Sequence, residues 1–170
     1  MTLRARLIAA GLAVAAVAQP AAAQPPAFLT APVTVPMVVS AVDICSSQMR
    51  AGAFDEAAMT GAGWVVAIRS EAGPPIRGYR HPDNMIILST FAGASGADKC
   101  TVMAPTGPAG VTLESMRAAL RERIAARPRS RDGAAVWTLD DLTMTLKPMG
   151  NFGVVVEIER RSADVDSRQR

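Results

Sequence analysis

From Leu142 to Lys147 the chain alternates without a break. Leu142, Met144 and Leu146 are apolar, and Thr143, Thr145 and Lys147 are polar. A period of two is the signature of a strand with one buried and one wetter face. Val154, Val156 and Ile158 alternate with Val155, Glu157 and Glu159 in the same way. The intervening MGNFG supplies turn residues, so the two segments read as antiparallel neighbours. VWTL precedes them, joined tightly at Asp140-Asp141. Three earlier segments also carry strand composition: WVVAIR (64–69), MIILSTF (85–91) and KCTVMA (99–104).

Helical spacing fills the gaps. Val42, Cys45 and Met49 recur on one face after Ser40, a residue type that caps helices. Leu113, Met116, Leu120 and Ile124 form a second stripe after the capping residue Thr112, and Pro128 ends it. A short helical piece is expected from Asp55 to Met59, closed by Gly61 and Gly63. EAGPPIRGYRHPDN (71–84) is dense in turn residues and reads as a loop. The resulting expectation is an α+β domain over residues 40–161. It has five or six antiparallel strands with two main helices on one face. The order suggests a pseudo-repeat of one helix and three strands.

The ends differ from this domain. Arg4 and Arg6 precede the uncharged apolar run Leu7–Ala18, and Ala21-Ala22-Ala23 follows. That order reads as a Sec-type signal peptide over residues 1–23, cleaved after Ala23. The apolar run is shorter than the roughly 20 residues that span a bilayer. Residues 24–39 hold four prolines by Pro36 and read as an extended arm. Residues 162–170 are polar and read as a disordered tail. The expected location is therefore the periplasm or the exterior, with no transmembrane segment after cleavage. The full chain carries 18 basic and 15 acidic residues, a net of +3, and loss of Arg4 and Arg6 brings this to +1. Near-neutral charge gives no global field for nucleic acid, and no specific nucleic-acid partner is expected.

Cys45 and Cys100 are the two cysteines of the chain. An even count in an exported chain favours a disulfide between them. The alternatives are two separate buried thiols, a redox pair lacking a C-x-x-C motif, or a zinc site lacking ligand spacing. No metal or cofactor is expected.

Two clusters are candidates for binding. Arg77, Tyr79, Arg80, His81 and Asp83 concentrate polar function between residues 77 and 83, a composition suited to a carboxylate or phosphate. The plainer reading is an exposed loop, which gathers polar residues anyway. Arg121, Arg127, Arg129 and Arg131 lie in a basic segment suited to an acidic partner, or simply to a solvated helix face. No G-x-S-x-G elbow or phosphate loop accompanies them. The leading expectation is a non-catalytic binding or accessory module of the cell envelope, engaging an envelope protein or small ligand. The alternatives are an inhibitor or accessory factor of an envelope hydrolase, and an enzyme centred on His81.

Overall fold

The computed structural model describes residues 31–70, 75–93, 96–107 and 111–161. The leader, the first part of the arm, residues 71–74 and the tail lie outside the described residues.

Three helices and eight strands follow the order α1 (Val35–Ala51), α2 (Glu56–Gly61), β1 (Val65–Ser70), β2 (Ile76–Arg80), β3 (Ile87–Gly93), β4 (Gly96–Pro105), α3 (Leu113–Ile124), β5 (Arg129–Arg131), β6 (Ala134–Thr138), β7 (Leu142–Met149) and β8 (Gly153–Arg160). The α+β class and the antiparallel sheet agree with the expectation. The strand count is eight rather than five or six, and the third helix, α2, is the short piece expected after Asp55, beside the two main helices. The additional strands are β2, inside the segment read as a loop, and the three-residue β5.

Helix α1 starts earlier than its sequence suggests. Thr34 is its N-cap, in extended conformation, and Pro36 falls in the first turn. Proline is tolerated there because the amide it lacks has no intrahelical partner anyway. The helix therefore begins inside the span 24–39 expected to be extended. It ends at Gly52, whose φ of 80° is the left-handed cap glycine provides without a Cβ penalty. The Met49 carbonyl, which accepts the Gly52 amide at this terminus, also takes the Arg160 guanidinium from the far end of β8. Helix α3 opens with a reciprocal box in which Thr112 Oγ1 accepts from the Ser115 amide and Ser115 Oγ accepts from the Thr112 amide.

All strands form one antiparallel sheet in the order β1-β2-β3-β4-β8-β7-β6-β5. The first half is two helices and a four-strand meander, the second one helix and a four-strand meander, and the halves meet where β4 pairs with β8. At the junction Pro105 opposes Gly153, and a Cβ on Gly153 would lie 2.2 Å from the Ala104 carbonyl oxygen.

Helix α1 packs across β4 and β8, with α3 beside it over β7. Val38, Val42, Cys45 and Met49 meet Cys100, Val102, Val156, Ile158 and Leu146 in a closed core. Cys45 and Cys100 are joined as a disulfide, with 5.8 Å between their Cα atoms. No helix among the described residues is long and apolar enough to cross a membrane.

The opposite sheet face carries no helix. At its centre Lys99 Nζ lies 3.0 Å from Glu157 and 3.2 Å from Glu159, and Lys147 Nζ lies 2.8 Å from Glu157. Burial pushes the Glu157 carboxyl up, but hydrogen bonds and charge from Lys147 and Lys99 outweigh it, and the net shift is downward. A carboxyl held below its ordinary value contributes stability that is lost as pH falls through the folded value. Glu157→Gln is expected to be less stable than the parent at pH 7, with the two converging below about pH 4. Urea midpoints across this range measure it, and a constant gap at all pH values would contradict it.

Candidate functional site

The sequence cluster around residues 77–83 is split by the sheet. Because 76–80 is a strand, alternate side chains face opposite ways. Arg77 and Tyr79 point to the helix side of the sheet, whereas Arg80 shares the helix-free face with Ile76. His81 follows the strand, and its amide donates to the Ile86 carbonyl at 3.0 Å. Its ring stands edge-on to Trp64 with centroids 5.6 Å apart, and its Nδ1 accepts from the Asp83 amide at 3.1 Å. That acceptor role places the neutral ring proton on Nε2. Asn84 is buried and its Oδ1 accepts from the Ile86 amide at 3.0 Å. His81, Asp83 and Asn84 thus shape the β2–β3 turn, apart from Arg77 and Tyr79.

Arg77 and Tyr79 join two residues that the sequence reading left out. The β1–β2 register sets Arg69 directly opposite Arg77. Like charges facing each other across an antiparallel pair are destabilising, so the pair calls for a shared counter-anion. Glu56, at the start of α2, fills that place. Its Oε1 takes the Arg69 Nη2, and its Oε2 lies 3.4 Å from the Arg77 Nη1. Helix α2 is held by the Asp55 side chain, which accepts from the Ala58 amide at 3.0 Å. Gln48 on α1 accepts from the Asp55 amide at 2.7 Å. Buried Met59 anchors its other side.

Tyr79 lies beneath this ion triad with no exposed surface, its ring 5.3 Å from that of Phe54. Its hydroxyl is buried with no acceptor for its proton, and the Arg77 guanidinium stands on the side of its oxygen. Burial raises the phenol above its usual range and the Glu56 charge adds to that, outweighing the opposing pull of Arg77 and Arg69. The hydroxyl is therefore a protonated donor at neutral pH without an acceptor. Leaving such a group unsatisfied costs about 1–3 kcal/mol. Two arginines and one carboxylate give the site a net positive charge directly above it.

The second candidate cluster is dispersed. Arg121 is exposed on α3, Arg127 lies in the following turn, and Arg129 and Arg131 lie on β5 with all three β5 residues exposed. They do not share a helix face. A groove of about 410 Å³ runs between α1 and α3, lined by Val35, Pro36, Val39, Ala119, Glu122 and Arg123. It shows no buried polar atom in want of a partner.

Compared with family models, curated proteins and solved structures, the chain finds no match.

Proposed function

We propose that the protein is an exported, non-catalytic binding module whose ligand presents a carboxylate or phosphate group to Arg69 and Arg77 above Tyr79. The observation that carries this reading is the buried Tyr79 hydroxyl, a donor with no acceptor beneath a net-positive pair of arginines. Export is supported by the leader pattern of residues 1–23 and by the Cys45–Cys100 disulfide, a bond that persists in oxidising compartments. Binding rather than catalysis is supported by the engagement of His81 in its own turn, where its ring packs against Trp64 and its Nδ1 accepts from the Asp83 amide.

Glu56 acts in this reading as an internal competitor that an incoming anion displaces. Succinate and inorganic phosphate are suitable probes, followed by NMR at the Arg69 and Arg77 Nε–H groups and the Tyr79 ring. Glu56→Gln is expected to bind at least one of them about tenfold more tightly than the parent, a gain of about 1.4 kcal/mol. Tyr79→Phe is expected to weaken binding while leaving stability equal or higher, because the unsatisfied hydroxyl is gone. Absence of any response in both the parent and Glu56→Gln would refute the site.

A further inference from the structure

The arginine pair sits beside a sheet edge with no described neighbour, and the two edges of this sheet are unlike. Edge strand β5 is three residues long, fully exposed, and reads Arg-Ser-Arg directly after Pro128. Short length, charge and an adjacent proline blunt an edge against further pairing. Edge strand β1 has six residues, and Arg69 is its only charge. Among the described strands it pairs with β2 alone, so its outer backbone groups are available to another strand. Its register shifts between Val66 and Ile68. The shift puts Val65 and Ile68, 38% and 53% exposed, together on the helix-free face. Val66 and Arg69 are left on the helix side. The space for Ile68 comes from Gly78, where a Cβ would stand 3.1 Å from the Ile68 Cβ.

We propose, building on the anion-site reading above, that the ligand is an extended peptide which adds to β1 as a ninth strand and delivers a carboxylate to Arg69 and Arg77. Strand addition gives affinity through main-chain hydrogen bonds and specificity through alternate side chains. On one face the peptide's alternate residues lie beside Val65 and Ile68 and are apolar. On the other face a residue directly opposite Arg69 has its Cβ about 5 Å from that of the arginine, within reach of a carboxylate. The carboxylate takes the place now held by Glu56, where the two guanidinium groups already converge. An acidic side chain and a free chain terminus supply the same chemistry.

Three hexapeptides of alternating Val and Thr distinguish these sources: one with a free C-terminus, an amidated twin, and an amidated twin with one Thr replaced by Glu. The readout is hydrogen exchange of the β1 amides in the intact protein, with succinate titrated in parallel. The free-acid peptide, the Glu-bearing peptide or both are expected to slow β1 exchange about tenfold or more at saturation. The plain amidated twin is expected to leave it unchanged. Ile68→Lys is expected to abolish peptide protection while the succinate response at Arg77 persists. Equal protection by all three peptides would overturn the carboxylate requirement. No protection, with the succinate response intact, would overturn strand addition and leave the anion site standing. Loss of the succinate response as well would remove the anion site itself. Concentration-dependent β1 protection without peptide, accompanied by a dimer mass, would show a second copy on the edge and overturn the peptide assignment.

Discussion

Replacing both Cys45 and Cys100 by alanine is expected to lower the unfolding free energy by about 4 kcal/mol. In the chain-entropy model, a cross-link over a sequence separation of 55 removes that much freedom from the unfolded chain. For a domain of this size each kcal/mol moves the melting midpoint by about 2–4 °C, so the expected fall is on the order of 10 °C. The position of the bridge sharpens the expectation. It ties α1, which spans the sheet centre, to β4, the strand at the junction of the two halves. Both cysteines have no exposed surface. Reductant is therefore expected to act on the native protein only as fast as the core opens, and denaturant should accelerate reduction steeply. Urea titration of the double variant measures the stability term. A loss under 1 kcal/mol would mean that residual order in the reduced unfolded chain cancels the constraint.

Gly153→Ala is expected to be the most damaging methyl group added at the described glycines of the sheet. The new Cβ would lie 2.2 Å from the Ala104 carbonyl oxygen and 3.0 Å from the Pro105 Cα. Both neighbours are backbone, so no side chain can swing aside to relieve the contact. Glycine is required here for close approach of two strands rather than for an unusual φ. Relief requires β8 to move away from β4 at the start of the pairing that joins the two halves. The cost expected is about 3 kcal/mol, the upper part of the range for overpacked sites. Gly107→Ala is the matched control, since a Cβ there meets nothing within 4 Å and the change is expected to be nearly neutral. Similar stability losses in the two variants would show that the β4–β8 seam yields more easily than its backbone contact implies.

The strands that declare themselves in sequence are those with uninterrupted alternation, such as Leu142–Lys147. β2 does not, because Ile76–Arg80 contains a glycine and two arginines between Pro75 and Pro82. Its strand conformation comes from its neighbours: β1 and β3 pair on either side, and Ile68 occupies the space that a side chain at position 78 would fill. β5 lacks any apolar pattern, yet a signal for it was present. Asp132 and Gly133 have φ of 49° and 78°, the pair of positive values that a tight two-residue hairpin turn requires. Asp-Gly before Ala134–Val136 is the sequence form of that turn. Pro36 misled in the opposite direction, since a proline in the first turn opens a helix as readily as it excludes one.

For the site, residue identity revealed Arg77 and Tyr79 but not Glu56 or Arg69. Their convergence depends on the β1–β2 register and on α2 lying at the end of that hairpin. Neither follows from composition. The useful clue was a hairpin that faces Arg69 with Arg77, which calls for a carboxylate from elsewhere in the chain. Arg80, adjacent in sequence to Tyr79, belongs to the opposite face because successive strand residues alternate, and His81 lies past the end of β2, against Trp64.

The arrangement of the two halves has a consequence for a chain that emerges from its N-terminus. The described elements from α1 to β4 form the first unit, and both cysteines lie within it. That unit holds all the atoms of its covalent link before β5–β8 appear. Its last strand, β4, lacks its neighbour β8 during that interval, and the row of backbone groups from Lys99 to Pro105 is unpaired. An incomplete chain therefore displays a long, largely apolar seam that disappears once β8 docks. The order of arrival makes β4, buried at the centre of the finished sheet, the line along which two unfinished molecules would most readily mispair.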